Sequence, residues 1–467
     1  MTDKFNEIDP AGLEIVINQS DIRRDLHRFI DYVSQRGIKR AHRSNAIPKT
    51  DLLRLAKIMG HDTGAGDIDF EAFSTWIHAV DKLCLRLRFI KYDTEGVYAG
   101  YSSAEPSYPN NFIEINEQRY SAFLDSSLQE QEDEALACLI DAAAPCSNEF
   151  FKRGPKGILD RFNTTGCATG VMKIIKFPAT RRYLLALLAV ACTPGTWCSV
   201  KSLIEFIKID NPHFLIPKKV PAENLYDNNR YGNFRERKKD DPWGRIRLDE
   251  KTRNIFERVE GRYVERFLEH VPLTMGYVEL AYANESDSLN DPSMGRLRAF
   301  RVTDRFLPAA RGEIREPQVT VLPNFEVHVD SRFYQAAIMS SLMMFCDIVN
   351  EDIHTVLKLS KKKVTATLAA DGDMDAIGIL RRMTSRPLPA NVINELEAWT
   401  GQAEAFTVFE GFGLLEGKIS DELRGSRLVE QVTPGICIIR EPEALFTQLE
   451  KAELAPLLIN HPDKSPA

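Results

Sequence analysis

The chain has 467 residues, 43% of them apolar, and a formal net charge of -7. That length exceeds one ordinary core and implies several domains, while the apolar share excludes global disorder. An acidic chain does not coat nucleic acid by bulk charge, so any DNA contact has to come from a local basic patch.

The eight cysteines are scattered and none forms a CxxC; Cys192 and Cys198 are the closest pair. Buried thiols in a reducing compartment are the favoured reading and a zinc site the weaker one. The N-terminus MTDKFNEIDP has no basic n-region or apolar h-region, and the longest apolar stretch, 183–193, is too short to span a bilayer. A soluble, cytoplasmic protein without a membrane partner is expected.

Ser20 fits an N-cap, and Ile22, Leu26, Phe29 and Val33 follow on one helical face as far as Gly37. Thr50 opens a second helix with Leu52, Leu55 and Met59, ended by Gly60; Phe70, Phe73, Ile77 and Val80 mark a third. Residues 89–92 and 97–101 read as strands around the turn Asp93-Thr94-Glu95-Gly96. Helices closed by a hairpin outline a winged helix, with a generic small α+β domain as the alternative. Residues 105–180 read as a connecting region, with the loop EPSYPN, a short strand over 112–117 and a helix over 129–142.

A second winged-helix-like unit covers 181–312. YLLALLAVA is a buried helix, TPGTW a break, and Val200, Leu203, Ile204 and Ile207 the next apolar face. Residues 209–244 lack periodicity and read as a long exposed insertion or linker. Ile255, Val259, Tyr263, Phe267 and Leu268 mark a helix ending before Pro272. Residues 276–283 and 298–303 then pair as strands around NESDSLNDPSMG.

A third unit covers 313–460, followed by a tail, 461–467. In VTVLPNFEVHVDSRFY, Val319, Val321, Phe325, Val327 and Val329 alternate with mostly polar residues, a strand interrupted at Pro323 and Asn324. An apolar helix over 333–349, a strand HTVLKLS, and helices over 362–370 and 374–383 follow, then one carrying Val392, Leu396 and Trp399. AFTVFEGFGLLEG alternates like a strand, and GICIIREPEALFTQLEKAEL closes with strand, Pro and helix. The expected fold class is therefore α+β multidomain, with winged-helix-like N-terminal units (1–104 and 181–312) before a C-terminal α+β module.

The stretches PNFEVHVDSRFYQAA, LKLSKKKVTATLAADGDMDAIGILRRMTSRPLPANVINELEAWTG and FGLLEG resemble the domain at the N-terminus of XPB-type helicases. They look still more like the related segment of the TFIIH subunit that clamps that helicase, and bacterial helicase-associated proteins are similar too. The matching marks are Pro323, Asn324 and Phe325; Gly372; Pro387 and Pro389; and Trp399, within roughly residues 319–458. The resemblance implies a non-catalytic module that docks on a helicase or on its sister module and touches DNA. The chain departs from the helicases in having no motor.

No GxxxxGK[ST], HExxH, GxSxG or kinase motif occurs. GPKGILD at Gly154 lacks phosphate-loop spacing, and DGDMD (371–375) lacks the later ligands of a calcium loop and reads as a helix cap. His78 reads as structural or surface, and His328 as solvated on the polar face of its strand. Asp25, Glu71 and the other carboxylates show no pairing suited to acid/base work. No metal, cofactor or small-molecule substrate is expected.

Basic patches are the site-like signal. Arg36, Lys39, Arg40 and Arg43 lie between two helices; Arg235, Arg237, Lys238 and Lys239 lie beside Tyr231 and Phe234. Cations neutralise phosphates and aromatics stack on exposed bases, so both sets are candidate DNA contacts, against the simpler reading of solvated loops. Lys361, Lys362, Lys363, Arg381 and Arg382 are candidate partner-docking residues. The function expected is that of a non-enzymatic accessory protein that acts with a separately encoded superfamily 2 helicase on DNA, in repair or in defence against foreign DNA. The alternative is a winged-helix transcriptional regulator with a C-terminal oligomerisation domain.

Overall fold

Helix α1 (Ile22–Arg36) follows a short strand, β1 (Glu14–Val16). Asp21, one residue after Ser20, is its cap: the carboxylate accepts from the Arg23 N–H at 2.9 Å. Ile22, Leu26, Phe29 and Val33 are all buried, each contributing about 1.5–3 kcal/mol of apolar transfer. Gly37, at φ 67°, ends the helix in a region that favours glycine. Helix α2 (Lys49–Ile58) starts one residue before Thr50, with Pro48 at the cap position. The Tyr32 hydroxyl donates to Asp51 Oδ1 at 2.6 Å and ties α2 to α1. In α3 (Phe70–Arg86), Ile77 and Val80 face the core with Trp76.

The computed structural model describes residues 5–18, 20–60, 70–98, 106–142, 148–150, 159, 173–225, 229–238, 241–284, 295–330, 332–351, 354–370, 374–384, 386–404, 412–416, 428–433 and 435–451. The fold is α+β and multidomain, and it divides into two compact units: residues 1–360 with 377–389, and residues 361–376 with 390–467.

In the first unit, the described residues of the wing expected from 89–92 and 97–101 pair elsewhere, and 99–101 lie outside the described residues. Strand β2 (Ile90–Lys91) pairs with β3 (Glu114–Ile115), and Val97 bridges to Ser107. Helices α4 (Glu117–Leu124) and α5 (Leu128–Ile140) follow, the latter opened by a Ser127/Glu130 capping box. After α6 (Phe177–Ala191), β4 (Trp197–Ser199) and α7 (Val200–Asp210), the chain forms the hairpin β5 (Arg235–Lys238) and β6 (Asp241–Arg247). The segment 209–244 is not an exposed linker: Leu215, Ile216, Tyr231, Asn233, Phe234 and Glu236 are buried. Its aromatics found core partners that no local pattern reveals, such as Phe150, 5.6 Å from the Phe234 ring.

A turn of π-helix, Glu257–Gly261, leads into α8 (Arg262–Glu269) and α9 (Val271–Thr274). Strands β7 (Val278–Tyr282) and β8 (Leu297–Val302) pair as their alternation predicts, in a four-stranded sheet of order β1-β7-β8-β4. β1 comes from the N-terminal segment and β7 from the segment expected as a separate second unit, and one hydrophobic core runs from Phe5 to Phe333. After α10 (Phe306–Arg311), β9 (Val319–Val321) and β10 (Glu326–Asp330) form a hairpin rather than one interrupted strand. Pro323 and Asn324 occupy its turn, and Phe325 takes φ 69°. The helix expected over 333–349 stops early. It is α11 (Ala336–Met343), and the β-branched Ile348 and Val349 lie in β11 (Cys346–Glu351), which pairs with β12 (His354–Leu359).

The second unit holds α12 (Lys361–Ala370), α14 (Ala390–Glu404), β13 (Phe412–Glu416), β14 (Leu428–Thr433), β15 (Ile436–Arg440) and α15 (Pro442–Lys451); α13 (Ala376–Met383) belongs to the first unit from Ile377 on. The sheet order is β13-β15-β14. Leu415 and Ile439 pack with Leu445 and Leu449 of α15 on one face. The opposite face places Leu414 beside Ile438 and Phe412 beside Arg440, and Leu414 is 75% exposed. Val429 and Val432, at the irregularities of β14, are exposed as well.

The interior of the first unit is unusually charged. Arg181 and Glu149 form a buried two-pronged pair at 2.7 and 2.9 Å, and the Tyr263 hydroxyl donates to the same carboxylate. Arg23 pairs with Glu132, which also accepts from Tyr277. Arg262, Glu265, Arg266 and Glu269 of α8 are all buried. Glu269 accepts from the Tyr282 hydroxyl at 3.0 Å and from the Leu159 N–H at 3.1 Å. Such groups are tolerable only with this density of donors, because an unpaired buried charge costs several kcal/mol.

Glu260, in the π-turn, belongs to the same charged interior. Its Oε1 accepts from Tyr231 at 2.9 Å and lies 3.7 Å from Arg230, while Oε2 has no hydrogen-bond partner among the described residues. Burial pushes its carboxyl up to about 8, against the pull of the Tyr231 hydrogen bond and of Arg230. A raised carboxyl favours the fold while protonated, so its contribution is complete below about pH 4.5 and lost as pH rises through about 8. Glu260→Gln should therefore flatten the decline in stability across that window and make the protein more stable at its upper end. Denaturant titrations at several pH values check this; superimposable profiles for the two proteins would refute it.

Candidate nucleic-acid interface

The stretch after α1 runs antiparallel to a stretch before β3. The Arg40 N–H donates to the Asn111 carbonyl at 2.8 Å, and the Ile113 N–H to the Ile38 carbonyl at 2.9 Å. Lys39 and Phe112 face each other between these bonds, the arrangement in which side chains on one face lie closest. Alternation does the rest. Ile38, Arg40, Asn111 and Ile113 are buried, while Lys39 and Phe112 point to solvent. The Tyr108 N–H donates to the His42 carbonyl at 2.7 Å and extends the ribbon.

Arg40 is the internal strut of this ribbon. It forms two hydrogen bonds to Asp81, at 2.9 and 3.1 Å, and its guanidinium lies 3.8 Å from the Tyr92 ring centroid. Its Nε donates to the Asn45 carbonyl at 2.9 Å, and Asn45 takes φ 53°. Asn111 closes the knot, donating to Asn45 Oδ1 at 2.7 Å and accepting from the Asp93 N–H at 2.8 Å. Asp93 Oδ1 then accepts from the Glu95 and Gly96 N–H groups, both at 2.9 Å. Gly96 is required there: φ is 70°, and a Cβ would sit 2.9 Å from Tyr108 Cε1. Burial, aided by Asp81, holds the Tyr92 hydroxyl well above the usual phenol range, so it stays a donor to Asp81.

Of the first basic patch, Arg36, Lys39 and Arg43 are exposed. Arg40 has to be removed from it, because a cation enclosed by Asp81, Tyr92 and Asn45 cannot meet a phosphate. Lys39 Nζ donates to Asn110 Oδ1 at 3.1 Å and lies 5.6 Å from the Phe112 centroid. Phe112 is 50% exposed and Tyr98 68%. Neither aromatic was legible as a partner of the patch, since Phe112 is brought to Lys39 by pairing across some seventy positions.

The second patch loses its aromatics. Tyr231 and Phe234 are buried, the first bonded to Glu260 and the second packed on Phe150, so neither can stack on a base. Arg235 is half-buried in β5, opposite Arg247. Arg237 and Lys238 continue that strand; their side chains, and all of Lys239, lie outside the described residues. Lys361 and Lys362 are exposed and Lys363 half-buried at the start of α12; Arg381 and Arg382 are exposed on α13, in the other unit. Trp399 Nε1 donates to Glu395 Oε1 at 2.9 Å, and the ring is buried, as are Val392 and Leu396. His328 lies 3.0 Å from Glu326 Oε2 on a partly exposed strand face. The GPKG stretch at Gly154, and Gly372 of DGDMD, lie outside the described residues.

Among the described residues, no group of three or more His, Cys, Asp or Glu side chains is placed to hold a metal ion. No helix among them is long and apolar enough to cross a membrane. Neither protein-family models nor curated proteins yield a match to this chain.

The strut makes a direct prediction. Arg40→Ala leaves Asp81 buried without its cation and should cost about 3–5 kcal/mol of stability. Removing Asp81 as well should restore part of that loss, as read by denaturant unfolding of both variants. A cost below about 1 kcal/mol for Arg40→Ala would mean the pair does not hold the ribbon.

Proposed function

We propose that this chain is a non-catalytic DNA-binding and helicase-accessory protein. It docks on a separately encoded, XPB-like superfamily 2 helicase and regulates it on DNA, in repair or in defence against foreign DNA. The observation that carries the DNA-binding half is the rigid ribbon that turns Lys39 and Phe112 outward, with exposed Arg36 and Arg43 on either side in sequence. Cations on a fixed frame neutralise phosphates without the entropy cost of ordering a loop. The docking half is supported by the sheet face of the second unit on which Leu414 is exposed, beside Ile438 and next to the partly exposed Phe412, an apolar patch of the kind that marks interaction surfaces. A helicase held there would shift only between states that contact this face differently.

The same apolar face also favours the second reading, a DNA-binding regulator whose C-terminal unit oligomerises. Leu414→Glu separates the two. Loss of helicase capture by a chain that sediments as a monomer fits the accessory reading; a shift from dimer to monomer with no helicase captured fits the regulator.

For the DNA half, full-length Arg36→Ala/Lys39→Ala/Arg43→Ala should bind DNA at least about tenfold more weakly, and its salt slope should fall by about two to three. Fluorescence anisotropy at two salt concentrations reads both quantities. A variant that binds like the parent protein would remove this surface from the model.

A further inference from the structure

Phe112 is a large aromatic left half in solvent, yet its backbone is held by hydrogen bonds on both sides. The neighbouring residues Asn111 and Ile113 are buried, so the ring cannot rotate inward without breaking the ribbon's alternation. Lys39 stands over the ring, anchored by Asn110, whose own backbone takes φ 54°. Tyr98, more exposed still, lies one residue beyond the Val97–Ser107 bridge, and Tyr108, next to Ser107, pairs with His42 of the ribbon.

These features suit one form of nucleic acid better than the other. In a duplex the base faces are covered by their neighbours, and a flat exposed ring has nothing to stack on. In a single strand every base offers a face, and aromatic rings flanked by cations are the recurring way to hold it. The ribbon presents an aromatic with an ammonium at its face and further cations, Arg36 and Arg43, on the adjoining stretches.

We propose that the ribbon is a single-strand binding platform: a base stacks on Phe112, while Lys39, Arg36 and Arg43 contact the adjoining phosphates. This rests on the DNA-binding reading above and narrows it to unpaired strands, whether DNA or RNA.

The test uses the full chain and three labelled probes of equal length: oligo-dU, oligo-rU and a mixed-sequence duplex. Oligo-dU or oligo-rU should bind several-fold more tightly than the duplex, and because the two share one base the tighter identifies the sugar. Phe112→Ala should weaken single-strand binding by about 5- to 150-fold while duplex binding stays within about twofold. Phe112→Trp should restore binding, which a purely structural role for the ring would not produce. Because the ring is half exposed, a melting curve for Phe112→Ala close to that of the parent protein confirms that the ribbon is intact. Duplex binding as tight as single-strand binding, or an unchanged Phe112→Ala, overturns the single-strand inference and leaves the DNA-binding reading standing. Failure of all three probes overturns both.

Discussion

The guanidinium of Arg40, held between Asp81 and the Tyr92 ring, is the constraint on which the candidate surface depends. It joins the chain after α1 to α3 and, through Asn45 and Asn111, to the turn at Asp93. A planar cation with several fixed donors suits such a junction, because it meets a carboxylate, a carbonyl and an aromatic face at once. With that knot in place, neighbouring residues have no freedom to choose sides. Lys39 and Phe112 point outward because Arg40 and Asn111 point inward.

The same chemistry recurs deeper in the first unit. Arg23 with Glu132 links α1 to α5, and Arg181 with Glu149 links α6 to the turn at 148–150; tyrosine hydroxyls donate to both carboxylates. Such pairs add little net stability compared with apolar packing, yet breaking one is costly. Each pair therefore ties together the two segments that it joins. Asp25 belongs to this set: burial raises its carboxyl to about 6, although Arg24 and the Trp76 indole both favour the ionised form. A perturbed carboxyl can arise from structure alone, without a reactive partner in reach.

What was readable depended on the range of the interaction that decides it. The face of α1 is local, and Ile22, Leu26, Phe29 and Val33 are buried as their spacing requires. The hairpin β7–β8 follows from two alternating runs close in sequence. By contrast, Phe89 and Tyr92 sit next to a plausible turn, yet Ile90 pairs with Ile115 because the polar knot at Asp93 and Asn111 draws that distant segment in. Residues 209–244 look polar and irregular, but Tyr231 and Phe234 have core partners far away in sequence. Arg40 and Lys39 are adjacent cations in an exposed-looking turn, and composition could not separate strut from surface.

Sequence alone determined the mixed α+β character, the positions of most helices, and the existence of a short basic stretch after the first helix. Those properties depend on residues within a turn or two of one another, where periodicity and capping act. Tertiary structure decided which cations face solvent, which aromatics lie inside, and that Phe112 stands beside Lys39. Those outcomes hang on pairings between remote segments, whose free energy comes from desolvated ion pairs and strand hydrogen bonds that no local window contains.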